Sequence, residues 1–478
     1  MAGPKPFPYV KNSTVGDVPI NFYPALDSEK REILKGTFGL STHCTATNCT
    51  EGRGIYSWKG YLYCLFRRGS QTVLFRVDPT AAISPTELGY FTTSFTGPTW
   101  IKNNSTQLCI VDGVSGHVYT PATGNLQQIT DANFPGAAAM DYIEGVGIFI
   151  QPNSIEWFYS NLYDFLTYPS ASYIGFESKA VEKLVGILMF YDQIFVIADT
   201  AAEVWSMVDT GGSLTASPFQ RNTYGFVDYG CGAAGSINTA DGTIPNWISN
   251  QGQWIIVPGY EGQVVSTPMF DRAVAGMTSF ADARSFTWRD DGHVFTAMTF
   301  PIGGQTWVMD WTMKTLIKMT SYLTDGTGWG RHRLNCLTKC GNDLFGLDYE
   351  NGTVYKVSRD YKDDDGHAIQ RILHTIEWDG GSDDIDFGSM TLLTKMGVGL
   401  VSGQGSDPQV MRQFSKDSGE NWSYESWRSA GKMGQFKRTP PTWHRCGQSR
   451  KRMERFTFTD PVEWEIRGLQ YDMKRLGA

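Results

Sequence analysis

Hydrophobic and polar positions along the chain follow one repeated pattern. An apolar segment runs into a short polar or Gly turn, then an alternating strand, a second turn, and a strand rich in aromatic and β-branched residues. The pattern occurs seven times. Its first turns are Lys59-Gly60, Asn103-Asn104, Glu144-Gly145, Asp192-Gln193, Gln251-Gly252, Asp290-Asp291-Gly292 and Gly341-Asn342. The strands that follow include Tyr61-Leu62-Tyr63, Leu108-Cys109-Ile110, Ile194-Phe195-Val196-Ile197 and Leu344-Phe345-Gly346-Leu347; closing strands include Glu203-Val204-Trp205 and Trp307-Val308-Met309. From Gly60 to Gly341 is 281 residues in six intervals, a mean of about 47. Several strands per unit at a period of about 40 to 50 predict propeller blades rather than a helical solenoid. Gly-x-Val-Tyr recurs at Gly116 and Gly352. The excess length between 205 and 245, with Gly211-Gly212 and Gly230-Cys231-Gly232, reads as an insertion on one rim. Little is helical. Ser28 to Lys35, with Ser28 as cap, is the best short helix, and the first forty residues otherwise read as an extended arm.

Composition agrees with many short strands: 52 Gly, 15 Trp, 13% aromatic and 19% charged residues in 478. The expected fold is all-β: a β-propeller of six or seven blades with inserted rim loops and a C-terminal β-rich segment. The divisions are an arm at 1–50, blades at 51–358, and a C-terminal segment at 359–478 in which an acidic hairpin precedes basic strands.

Charge sharpens that last division. Between Arg359 and Asp386 nine acidic residues face three basic ones, with Asp363-Asp364-Asp365-Gly366 at the centre. Consecutive aspartates do not give the alternating ligands of a calcium loop, so a solvated hairpin tip is expected. From Arg428 onward, twelve Lys or Arg stand against five Asp or Glu, a net of +7; the chain is −8, so the remainder carries −15. Arg445, Arg450, Lys451, Arg452 and Arg455 are the candidate contacts to DNA or to an acidic neighbouring subunit. Just before them Ser415, Asp417, Gly419 and Trp422 spell S-x-D-x-G-x-x-W. Ser415 and Asp417 can bond the turn's own backbone, Gly419 supplies a positive φ, and Trp422 anchors the returning strand.

Catalytic motifs are missing: there is no phosphate-binding G-x-x-x-x-G-K-[ST], no G-x-G-x-x-G opening a helix, no H-E-x-x-H and no G-x-S-x-G. No enzymatic activity is expected. The eight scattered cysteines read as mostly reduced, buried or half-buried thiols. His43, Cys44 and Cys49, and His332, Cys336 and Cys340, are local clusters without paired zinc-site spacing; no metal or cofactor is expected. Neither a secretory signal nor an apolar run long enough for a membrane helix is seen.

The C-terminal stretch carries a resemblance. Phe414, Ser415, Lys416, Asp417, Gly419 and Trp422, then Gly431, Gly434, Trp443, Gly447 and Arg450, and finally Phe456, Asp460, Pro461 and Val462 resemble the packaged-DNA stabilisation, or tail hub, proteins of short-tailed bacteriophages. Near the N-terminus, Arg31 and Leu34 to Leu40, then Arg53-Gly54, resemble that family's opening. Gln413, Phe38 and His444-Arg445-Cys446 depart from its pattern. The resemblance implies a virion tail protein synthesised in the host cytoplasm. Six copies would form a ring beneath portal and adaptor, extend and help close the DNA exit channel, retain the packaged double-stranded DNA, and carry needle, spike or fibre proteins. Because S-x-D-x-G-x-x-W also resembles the Asp-box of sialidases, the alternative is a glycan-binding or sialidase-like propeller acting on host surface polysaccharide.

Overall fold

A computed structural model describes residues 7–11, 17–208, 217–240 and 242–476. It is all-β apart from one α-helix, Pro268–Ala275, and one 3-10 turn, Ala234–Ser236, among the described residues. Seven small antiparallel sheets follow the seven repeats. The first holds Glu51–Trp58, Tyr61–Arg68, Gln71–Val77 and Thr86–Thr92. The next five lie within 100–128, 139–175, 184–227, 238–264 and 284–331. The seventh joins Leu334–Cys340, Asp343–Asp348 and Thr353–Ser358 to a strand from far upstream, Gly39–Thr45.

Period-two alternation explains how these sheets pack. Side chains on a strand point alternately to opposite faces, and here both faces are covered. In the first sheet Leu62, Cys64 and Phe66 pack on Phe345 and Leu347 of the seventh. Tyr63 and Leu65, one residue out of phase, pack on Leu108 and Ile110 of the second. The rule continues round: the second sheet shares a core with the third through Cys109 and Phe149, the third with the fourth through Trp157 and Trp205. The fourth meets the fifth through Phe195 and Trp247, the fifth the sixth through Trp254 and Trp307, and the sixth the seventh through Trp288 and Leu334. Every sheet touches the next and the last touches the first. Each large apolar side chain buried this way contributes about 1.5–3 kcal/mol.

The remaining strands form a two-layer sandwich. One layer orders Phe22–Leu26, Glu32–Gly36, Glu465–Leu476, Asp384–Thr394 and Thr442–Ser449; the other orders Arg371–His374, Lys451–Phe458, Gln409–Ser415 and Ser426–Ser429, with Trp378–Asp379 also on Lys451–Phe458. Between them lie Phe22, Phe387, Leu392, Trp443, Phe456, Phe458, Trp464 and Ile466.

Three expectations are corrected. Ser28 to Lys35 is not helical: the Asp27 carboxylate accepts from Glu29 N at 2.8 Å and Arg31 N at 2.9 Å, Lys30 takes φ +60°, and the chain turns into the strand Glu32–Gly36. Ile33 and Leu34 then enter different cores, which is strand and not helix periodicity. The N-terminal arm is likewise no free arm over 22–45, since its strands complete the sandwich and the seventh sheet. The acidic run is not simply a solvated tip. Asp364 is 1% exposed, and Asp365 accepts from Thr42 N at 2.9 Å, pinning the closing strand of the seventh sheet.

Within the 205–245 insertion, Gly211-Gly212 lies outside the described residues. Cys231 is buried beside the turn after Ala198, to whose carbonyl its N–H donates at 2.9 Å. No helix among the described residues is long and apolar enough to cross a membrane.

Candidate functional site

The basic residues near the C-terminus do not form one patch. Arg452 alternates inward from Lys451–Phe458, the strand at the centre of its layer, and its side chain is 0% exposed. Its Nε lies 2.6 Å from Glu454 Oε1, its Nη1 donates to the Cys446 carbonyl at 2.8 Å, and its guanidinium stacks 4.0 Å from the Phe414 ring centroid. Arg412 makes two 2.8 Å bonds to the same Glu454. Arg452 is therefore a core residue, and its candidacy as a DNA or subunit contact is corrected.

Arg455 is half-buried: its guanidinium lies 4.3 Å from the Trp422 ring and donates to Gln413 Oε1. Arg445, Arg450 and Lys451 do face solvent. Arg450 is 3.6 Å from Asp384, and Lys451 is 3.6 Å from Glu377 and 3.7 Å from Asp379; exposed pairs this long contribute little. Arg445 sits at a β-bulge. Pairing jumps from Phe387↔Gly447 to Ser389↔His444, which leaves Arg445 and Cys446 opposite Gly388. Arg445 takes φ +56° and points out while Cys446 turns into the core.

The turn after Gln409–Ser415 is built by its own polar side chains. Ser415 Oγ donates to Asp417 Oδ1 at 2.6 Å and accepts from Gly419 N at 2.9 Å. Asp417 accepts from Asn421 N at 2.9 Å and from its side-chain amide at 2.7 Å. These bonds, the Ser415 hydroxyl first, hold the Asp417 carboxyl down at about 2. Gly419 has φ +94°, and Trp422 lies beneath it against His374. At the other end of the hairpin Gln409–Ser415 and Ser426–Ser429, loops 397–405 and 431–438 pack together and expose Val401 and Phe436 beside Lys432, Lys437 and Arg438.

A second charged cluster, unmarked in the sequence, joins the first and sixth sheets to the segment that leads into the second. Arg67, Arg284 and Arg53 donate in turn to the carbonyls of Phe95 (3.1 Å), Thr96 (3.3 Å) and Gly97 (2.9 Å). Glu51 lies between Arg67, at 3.2 Å, and Arg284, at 3.0 Å. A Cβ added to Gly235, before the fifth sheet, would stand 3.2 Å from Pro98, before the second. Sheets two and five share no core, so this approach brings together segments of sheets that do not pack side by side. The segment 93–99 is held there by three arginines. No sequence signal could find this set, because Arg53, Arg67 and Arg284 are 14 to more than 200 residues apart.

The histidine and cysteine clusters serve packing. Cys44, Cys49, Cys64 and Cys340 share the core between the seventh and first sheets, with Cys336 against it. Burial pushes the Cys44 and Cys336 thiols up to about 12. His332 is buried and held neutral, its pKa pushed down to about 3 by burial and by Arg333 and Arg331. Among the described residues no group of three His, Cys, Asp or Glu is arranged to hold a metal.

Residues 385–474 match the family described as the β-sandwich of bacteriophage P22 Gp10. The match covers 90 of 478 residues, so it speaks for the sandwich and not for the ring. No curated protein matches the chain. Among solved structures, the chain is similar at 11% identity and TM-score 0.43 to the extracellular domain of a one-component system from B. thetaiotaomicron, over 82% of this chain and 47% of that one. It is similar at 10% and 0.38 to PorZ of Porphyromonas gingivalis, over 80% and 46%. Kluyveromyces lactis Hsv2 follows at 9% and 0.33, over 58% and 84%. The chain spans about half the length of the first two. At these scores none of the three bears on what this chain does.

Proposed function

We propose that the chain is a structural protein of a phage tail. In this reading it is a seven-bladed β-propeller closed by the strand Gly39–Thr45, with the sandwich as its assembly module. The observation that carries the proposal is that the whole of the family match falls within the sandwich. The family match starts at Ile385 and ends at Lys474, inside the two longest strands of the sandwich, which pair with each other. The match supplies six of the ten strands of the two layers; Phe22–Leu26, Glu32–Gly36, Arg371–His374 and Trp378–Asp379 come from outside it.

The finer reading is a tail hub or nozzle. Six copies form a ring below portal and adaptor, extend and close the DNA exit channel, and dock needle, spike or fibre proteins. The work is mechanical and electrostatic, with no bond made or broken. DNA passes through the centre of the assembly. Exposed Arg445, Arg450 and Lys451, whose nearest carboxylates are at best 3.6 Å away, are free to meet an acidic surface of the next copy. The glycan-acting alternative would want several arginines around an open carboxylate pocket; those that meet at 93–99 are spent on backbone carbonyls.

Negative-stain electron microscopy of the protein alone and mixed with portal and adaptor tests the reading. Six-fold rings capping the adaptor are expected. Monomers that ignore the adaptor would overturn it.

A further inference from the structure

The seam between ring and sandwich holds a small cavity of about 50 Å³, open in part to solvent. Lys35, Arg359, Lys362 and Arg371 line it against one carboxylate, Glu463. These charges are not equally committed. Lys35 lies 2.8 Å and Arg359 3.0 Å from Asp291, and Glu463 is bonded to Lys395. Lys362 donates to a backbone carbonyl, that of Arg359. Arg371 is 1% exposed, and its Nε and Nη1 are buried with no hydrogen-bond partner among the described residues. Asp364 acts on it only through its charge.

A fully buried guanidinium with unused N–H groups is an expensive thing to keep in a core. The fold nevertheless makes room for it: a Cβ on Gly36 would stand 2.7 Å from Arg371 Nε. Burial also lowers the affinity of Lys362 for its proton, against the pull of Glu463 and Asp360 and with Arg371 and Arg359 adding to it. Both groups are those of a site waiting for a negative partner. A guanidinium and an ammonium lining one small pocket are the usual grip on an oxyanion.

We propose that this cavity binds one phosphate-sized oxyanion, held by Arg371 and Lys362. Walls formed by Tyr23, Val462 and Trp464 admit an ion, whereas the phosphates of duplex DNA lie along a continuous backbone too wide to enter. The ligand would join three segments, the strand ending at Gly36, the connection from Arg359 to Arg371, and the chain at Glu463. It would therefore stabilise the seam by mass action.

Calorimetry on the full chain in HEPES tests this, with sodium phosphate titrated against NaCl at constant ionic strength and a 12-base-pair duplex as a separate arm. The wild type should bind phosphate one to one, with a saturable rise in Tm that chloride does not reproduce. Arg371→Met should abolish binding. Lys362→Met, at a half-buried position, should fold normally and bind at least tenfold more weakly; it decides the matter should Arg371→Met fail to fold. The same affinity in Lys362→Met, an equal effect of chloride, no binding, or binding of the duplex alone would each overturn the proposal.

Discussion

Replacing Glu454 by Gln removes the one carboxylate shared by Arg412 and Arg452 and strands two cations in the sandwich core. The side chains of Arg412, Arg452 and Glu454 are 6%, 0% and 0% exposed, so water cannot take over. Breaking a buried ion pair from one side costs about 3–5 kcal/mol. Two guanidiniums depend on this carboxylate, which places the expected loss at the upper end. At about 1.4 kcal/mol per decade, a loss of about 4–5 kcal/mol is about three to three and a half decades in the folded-to-unfolded ratio. Arg452→Met is the informative contrast. It removes a cation whose Nη2 has no hydrogen-bond partner, and it leaves Arg412 and Glu454 as a neutral, doubly bonded pair. A thioether fits between Phe414 and Phe387, which flank the guanidinium at 4.0 and 4.8 Å. The Cys446 carbonyl loses its bond, so the cost should stay within about 2 kcal/mol. Hydrogen exchange on peptides spanning 451–458 reads the sandwich separately from the ring. Equal costs for the two variants would refute the reasoning. So would an Arg452→Met protein of unchanged stability that no longer assembled or held DNA, since that would put Arg452 at the surface.

The other predictions concern pH, ring closure and assembly. Burial raises Asp364 from the ordinary carboxylate range to about 7, against the pull of Ser321, Arg371 and Arg333. A carboxyl raised on folding stabilises fully at low pH and loses that contribution between about pH 4 and 7, here about 4 kcal/mol. Thermal melts of wild type should therefore fall across that window more steeply than those of Asp364→Asn. Leu40, 1% exposed on the strand that completes the seventh sheet, should cost about 2–5 kcal/mol as Leu40→Ala; an unchanged denaturation midpoint would deny that strand a closing role. Arg450→Glu with Lys451→Glu should leave melting within about 0.5 kcal/mol, because both groups are exposed. Lost rings in the microscope would place these residues at a subunit interface; intact rings that leak DNA with a steep salt dependence would place them in the lumen.

Much of the fold was legible because it rests on neighbours in sequence. Turns such as Lys59-Gly60 and Asp290-Asp291-Gly292 coincide with hairpin tips, where Lys59, Gly60, Asp291 and Gly292 take positive φ. The turn at Ser415 to Gly419 likewise uses side chains no more than a few residues from the backbone they bond. The helix expected at Ser28 to Lys35 failed because one Asp27 carboxylate outweighed a weak propensity, and Glu32–Gly36 had an edge to join.

By itself, then, the sequence determined strands, turns and their sevenfold recurrence, since alternation and turn chemistry act over two to five residues. Only the tertiary structure decided which faces are covered and by what. Gly39 pairs with Ser358, and Leu34 with Ile466, contacts across most of the chain that no local pattern encodes. Arg450, Lys451 and Arg452 show the physical reason most plainly: three adjacent cations look alike in sequence. Strand geometry turns one of them into a core where a carboxylate on a neighbouring position can hold it, and leaves the other two in water.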